Sequence, residues 1–255
     1  MHEIIDSHCH LDLPAFDPDR DEVIARAREA GVIAFVVPGT TAGGWEKLLR
    51  ITADSDCLYP ALGLHPYFME AHRAEDLTTL AALCRERRPV AIGEIGLDFQ
   101  LEKFDAGAQE ALLKAQLRLA AELDLPVILH VRKAHDAMLK ALRQSGVKGG
   151  ICHAFNGSLQ QAQQYMKLGF LFGFGGMLTY PNARRLQRLA RELPLDHIVL
   201  ETDAPDMAGA LHHGERNSPE YLPEVLDALT RLREEPAAGV ARQTTENVRR
   251  LLKLT

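Results

Sequence analysis

The stretch VILHVRKAHDAMLKALRQSGVKGGICH, residues 127–153, reads as strand, helix, strand. Residues 127–131 form an apolar, β-branched run, 133–145 carry apolar side chains at three- and four-residue spacing, and 150–153 form a second short apolar run. Each run carries a histidine at or next to its end, His130 and His153. Two strands joined by a helical crossover pair in parallel, so the reading predicts a βαβ unit whose strand ends share one side of a sheet. Outward from this unit, strands are expected at 3–8, 33–38, 58–64, 90–95, 169–174 and 197–201. Helical patterns fall between them at 19–30, 41–55, 76–87, 105–123, 159–168 and 181–193, and two more at 220–233 and 237–252. Eight strand-helix pairs in 255 residues predict an α/β protein with one domain over residues 1–255, a single (β/α)8 TIM barrel. A Rossmann fold fits less well. Its glycine fingerprint belongs after the first strand, where Asp6-Ser7-His8-Cys9-His10 stands instead, and the glycine-rich 173–176 comes near the seventh.

Lys and Arg total 29 against 35 Asp and Glu, a formal charge of −6, which excludes proteins that coat nucleic acid through a broad basic surface. At 46% hydrophobic and 25% charged, the chain has apolar mass for one large core. Cys9, Cys57, Cys84 and Cys152 show no C-x-x-C spacing, which argues against a disulfide framework or zinc ribbon and points to the cytoplasm. No apolar run is long enough for a membrane span, no secretory leader is evident, and nothing indicates an obligate protein partner.

The chemistry collects at the expected strand ends. His8 and His10 follow the first strand, and side-chain alternation turns both imidazoles one way and Cys9 the other. His65, Glu94, His130, His153 and Asp203 stand at or just beyond later strand ends. In a barrel these ends form one mouth, where active sites sit. Glu94, in Ile92-Gly93-Glu94-Ile95-Gly96, is a carboxylate among apolar residues and calls for a metal or a basic partner. Taken singly, His130 and His153 fit a core histidine satisfied by backbone, and Asp203 fits a turn cap. Taken together, the set suits two divalent cations. Cys152, by the same alternation, faces the surrounding helices.

These residues resemble those of the TatD family of metal-dependent hydrolases and deoxyribonucleases, within the amidohydrolase-like barrel superfamily. The matching stretches are Asp6-Ser7-His8-Cys9-His10-Leu11-Asp12, Gly63-Leu64-His65-Pro66, Ile92-Gly93-Glu94-Ile95-Gly96-Leu97-Asp98, Leu129-His130-Val131-Arg132, His153-Ala154-Phe155 and Leu200-Glu201-Thr202-Asp203-Ala204-Pro205, with Asn217-Ser218-Pro219 and Asn247. The resemblance implies one metal held by His8, His10, Glu94 and Asp203 and a second by Glu94, His130 and His153, with Glu94 bridging. A glutamate stands where related barrels use a carboxylated lysine, which favours the nuclease-type branch. The ions expected are Zn2+, Mn2+ or Mg2+.

Cations that share a carboxylate suit phosphodiester hydrolysis. Asp203 is expected to act as ligand and general base, with Glu94 between the ions and His65 supporting the site or touching phosphate. Arg132, two residues past His130, is expected either to clamp phosphate or to pair with an acid such as Glu201. Arg184 and Arg185 are candidates for backbone contacts, and Tyr180 and Phe155 for base stacking. The net charge favours a single-stranded DNA end or short oligonucleotide entering the mouth. The alternative is an ester or amide hydrolase such as a D-aminoacyl-tRNA deacylase.

Overall fold

Short apolar and β-branched runs form eight strands: β1 (Ile4–Asp6), β2 (Val32–Pro38), β3 (Leu58–Leu62), β4 (Ala91–Asp98), β5 (Val127–Arg132), β6 (Gly150–Cys152), β7 (Phe170–Phe174) and β8 (Ile198–Leu200). The structure, a computed structural model, describes residues 2–53 and 55–254. The helices between consecutive strands are α1 (Arg20–Glu29), α2 (Ala42–Ala53), α3 (Ala74–Arg87), α4 (Ala106–Glu122), α5 (His135–Ser145), α6 (Leu159–Met166) and α7 (Arg184–Glu192), followed by α8 (Leu222–Thr230) and α9 (Ala237–Leu252). Each strand pairs in parallel with the next, in the order β1 to β8. Between β8 and β1 the Ser7 N–H donates to the Leu200 carbonyl at 2.9 Å, so the sheet closes on itself as a (β/α)8 barrel.

Strand alternation divides the apolar side chains into two layers. Ile5, Ala34, Val36, Ala61, Ala91, Ile128, Ile151, Leu171 and Val199 form one cluster with Val248 and Leu252 of α9. The other alternation set, including Phe35, Ile92, Leu129 and Phe172, packs with buried helix residues such as Leu48 and Leu113. Each valine, leucine, isoleucine or phenylalanine among them contributes about 1.5–3 kcal/mol on full burial. Thr245 and Asn247 tie α9 to the starting ends of β1 and β8. The Thr245 hydroxyl donates to Glu3 O at 3.1 Å, and the Asn247 amide donates to Leu195 O at 2.9 Å and Ile198 O at 2.8 Å. Asn247 therefore serves the end of the barrel opposite the strand tips.

The expected elements appear with shifted ends. β1, β6 and β8 stop before His8, His153 and Glu201, while β4 runs on to Asp98. α7 starts at Arg184 instead of 181 because Pro181 and Asn182 lie in a turn, and α8 is shorter because Pro219–Tyr221 forms a separate 3-10 turn. The helix expected over 41–55 ends at Ala53, and position 54 lies outside the described residues. Among the described residues no helix is long and apolar enough to cross a membrane.

Candidate metal centre

Although β1 ends at Asp6, the chain beyond it stays bonded to its neighbours. Cys9 N–H donates to Val36 O at 3.1 Å, and His10 N–H to Ala204 O at 2.7 Å. His8 and His10 therefore still face the mouth, with their Nε2 atoms 3.2 Å apart. Between them Cys9 is wholly buried in the outer core. The same continuation carries His153, whose N–H donates to Leu129 O at 3.1 Å, and Glu201, whose N–H donates to Phe174 O at 3.1 Å. Cys152 is buried in the outer core as expected.

Glu94 lies between two groups of histidines. Its Oε2 is 3.3 Å from His8 Nε2 and 3.6 Å from His10 Nε2. Its Oε1 is 3.1 Å from His65 Nε2, 3.2 Å from His130 Nδ1 and 3.6 Å from His153 Nε2. Asp203 approaches from the far side, with Oδ1 3.5 Å from His8 Nε2 and 3.6 Å from His10 Nε2, and Oδ2 4.0 Å from His153 Nε2. Asp203 holds a left-handed backbone conformation, φ 59°, which aspartate tolerates better than most residues. All six residues predicted as ligands thus converge on one place.

The protonation pattern suits cation binding. His10 Nδ1 lies 3.1 Å from Pro38 O, so that nitrogen carries the proton and Nε2 points a lone pair at Glu94 and Asp203. His130 is held the other way round: its Nε2 is 3.0 Å from Asp98 Oδ2 and its Nδ1 3.2 Å from Glu94 Oε1, and against the effect of burial the two carboxylates raise its pKa, so a cation would take the place of a proton on Nδ1. Acceptors that face one another at these distances need a cation or a proton between them. Burial, reinforced by His153, holds His8 well below the usual histidine range, and its buried Nδ1 has no partner among the described residues. Burial also opposes charge on Glu94, but His65, His8 and His153 outweigh it and hold the carboxyl well below its usual range. Burial raises Asp203 to about 6 against the pull of His153 and His10. Buried imidazoles and carboxylates arranged this way match the donor chemistry of divalent transition-metal sites.

His65 behaves differently from the other histidines. Its Nδ1 accepts the Tyr67 N–H at 3.0 Å, so the proton sits on Nε2 and is directed to Glu94. With both ring nitrogens engaged, His65 steadies the central carboxylate and has no nitrogen left for phosphate. Glu201 lies behind His153, with Oε1 3.3 Å from His153 Nδ1 and accepting the Ala154 N–H at 2.6 Å. A side-chain carbon on Gly173 would run into the Glu201 carboxylate, so that position needs glycine.

Several supporting residues were missed from sequence. Asp98 holds His130, and Asp6 accepts from the Thr202 hydroxyl at 2.6 Å and the His8 N–H at 3.2 Å, joining the segments that carry His8 and Asp203. A signal was present, because Glu94 and Asp98 share one strand face and Asp6 precedes His8 by two residues. Gln109 and Gln116 of α4 clamp both backbone groups of Asp98 and Leu64, at 2.9 and 3.2 Å and at 2.7 and 3.1 Å. No local pattern marks these amides. Burial opposes the Asp98 charge, but the His130 bond and the Gln100 N–H outweigh it and keep the carboxyl below its usual range. Asp98→Asn is expected to weaken metal affinity at the His130 side about 10- to 100-fold. Calorimetric titration with Mn2+ checks this, and unchanged affinity would show that Asp98 does not set the His130 ring.

The predicted substrate contacts divide. Arg132 lines the cavity of about 670 Å³ over the cluster, with its side chain 43% exposed. Its acidic neighbour is Asp98, Nη1 to Oδ2 at 3.4 Å, and not Glu201, because Asp98 is its register partner on the adjacent strand. Phe155 is fully buried against Phe172, ring centroids 4.5 Å apart, so it is a core residue and not a stacking surface. The Tyr180 hydroxyl donates to Ala208 O at 3.1 Å and lies 3.0 Å from His213 Nδ1, so loop packing occupies it. Arg184 and Arg185 are exposed at the start of α7 and make no ion pair among the described residues, but they do not line the cavity.

A parallel (β/α)8 barrel with a histidine–carboxylate cluster at its mouth defines the metallohydrolase class of barrels. The family profile described as TatD related DNase matches residues 5–253. The chain is 42% identical over 247 residues to the uncharacterized metal-dependent hydrolase YjjV of Escherichia coli K12, covering 95% of each chain. It is 36% identical to the 3'-5' ssDNA/RNA exonuclease TatD of Erwinia tasmaniensis, covering 98% of this chain and 100% of the other. The crystal structure of the Escherichia coli YjjV protein, a TatD homolog, superposes with a TM-score of 0.95 at 39% identity, covering 99% of this chain and 98% of that one. The chain belongs to the TatD family, and it is a metal-dependent hydrolase.

Proposed function

We propose that the protein hydrolyses phosphodiester bonds at the ends of single-stranded DNA or in short oligonucleotides, using two divalent cations per chain. His8, His10, Asp203 and Glu94 would hold one cation, and Glu94, His130 and His153 the other. The observation that carries this reading is Glu94, whose two oxygens face separate histidine groups beside the cavity lined by Arg132. When bound, such cations supply Lewis acidity toward a phosphate oxygen and make water more acidic. Asp203, with Oδ1 facing His8 and His10 and Oδ2 toward His153, would serve both as a ligand and as the carboxylate placed to take a proton from water. Arg132 would present its guanidinium to phosphate, Asp98 fixes the His130 ring, and the Glu201 carboxylate stands 3.3 Å behind His153 Nδ1.

Two further observations support a nucleic-acid end as substrate. The cavity of about 670 Å³ is of a size to take a nucleotide, and relatives such as the Erwinia enzyme are named as ssDNA/RNA exonucleases. Four free, buried cysteines accord with work in the cytoplasm, by a chain acting as one barrel unit. The test compares a labelled single-stranded oligonucleotide with an aminoacyl ester under Mg2+, Mn2+ and Zn2+. Shortening of the oligonucleotide with an inert ester is expected; ester hydrolysis with an intact oligonucleotide would replace this reading by the deacylase one.

A further inference from the structure

We propose that the turn after β3 carries a nucleobase-stacking surface, with Phe68 as the stacking ring and Tyr67 beside it as the outer edge. The proposal rests on the phosphodiesterase reading and extends it to how the base is held. Among the described residues, the large apolar or aromatic side chains left exposed are Tyr67, Phe68, Phe104, Met177, Met207 and Leu211. All six lie in loops that follow β3, β4, β7 or β8, on the face that carries the metal cluster. Apolar exposure confined to one face marks a contact surface.

Only two of the six, Tyr67 and Phe68, combine an aromatic ring with a place in the wall of the metal cavity. Phe104 is already stacked on Phe99, ring centroids 5.2 Å apart and planes at 15°. No ring among the described residues lies parallel to Phe68. His65 and Tyr67 make T-shaped contacts with it, at 6.0 and 5.1 Å with interplanar angles of 60° and 74°. Tyr67 is 60% exposed and Phe68 38%.

The turn is also fixed to the reaction centre. Pro66 opens it, the Tyr67 N–H donates to His65 Nδ1 at 3.0 Å, His65 Nε2 reaches Glu94 Oε1 at 3.1 Å, and His72 Nε2 closes on His65 O at 2.8 Å. Two hydrogen bonds thus connect the aromatic turn to the central carboxylate. Arg132, a cation for phosphate, lines the same cavity. An aromatic ring and a guanidinium lining one cavity form the combination that single-strand binders use, and stacking tolerates any base because each has a π face.

The test uses the full-length protein and two short single strands, one normal and one with tetrahydrofuran spacers in place of its bases. Equilibrium binding is read by fluorescence anisotropy in EDTA, and KM and kcat with Mn2+. Phe68→Leu is expected to weaken binding of the normal strand and raise its KM by about 5- to 100-fold, leaving kcat and all values for the base-free strand unchanged, and Phe68→Trp restores them. Should Phe68→Leu lower the melting temperature sharply, Tyr67→Leu takes its place, with a smaller loss in the same direction expected. Equal losses on both strands, no loss on either, or no rescue by tryptophan would overturn the stacking role while leaving the nuclease reading standing. A wild-type protein that neither binds nor cleaves the normal strand would remove both.

Discussion

Glu94→Gln is expected to leave a folded barrel that no longer retains a pair of divalent ions and turns over its substrate more than about a hundredfold more slowly, since losing even an outer partner of a metal site costs 10- to 100-fold. The reason is positional. One oxygen of Glu94 faces His8 and His10, and the other faces His130 and His153. Glutamine keeps the volume and one acceptor but removes the charge that both histidine groups surround, so both sites weaken together. By contrast His10→Ala touches the Oε2 side alone. Paired titrations with Mn2+ distinguish the two: Glu94→Gln lowers both affinities, and His10→Ala mainly one. Loss of a single site in Glu94→Gln would show that the carboxylate serves only one ion.

Arg132→Met is expected to reduce single-turnover cleavage of a short single-stranded oligonucleotide by about 10² to 10³, the loss typical of removing one donor to a developing anion. Arg132→Lys should recover only part, because an ammonium cannot reproduce the two-pronged guanidinium contact. The structure separates this from a stability effect. Arg132 is 43% exposed, and its 3.4 Å contact with Asp98 is secondary to the His130–Asp98 bond at 3.0 Å. Asp98 also accepts the Gln100 N–H at 3.0 Å, so removing Arg132 does not leave it bare. Both variants should melt within a few degrees of wild type. A collapsed melt, or a normal melt with undiminished cleavage, would rule out phosphate contact as the main role of Arg132.

The barrel was legible because the period of the apolar pattern changes at every crossover, and eight such units in 255 residues without a glycine fingerprint after the first strand favour the sequential order of a closed barrel. The site was legible for a related reason. Backbone hydrogen bonding continues past β1, β6 and β8, so alternation still orients His8, His10 and His153 after the strands have ended. What sequence could not supply was the partner across the sheet. Arg132 meets Asp98 because they share a register position on adjacent strands, and reading β4 as ending at 95 hid that acid. Phe155 was misread because a loop aromatic is exposed or buried according to tertiary neighbours, here Phe172, Tyr165 and His135. Tyr67 and Phe68 went unremarked for the converse reason, since their exposure depends on the cavity they line.

The most direct test of the account is the number of ions held by the wild-type chain. Protein purified metal-free, saturated with Mn2+, freed of excess ion by gel filtration and measured by elemental analysis should contain two ions per chain, falling well below one in Glu94→Gln because both sites weaken. One ion per chain in the saturated wild type would contradict the shared-carboxylate centre on which the proposed chemistry depends.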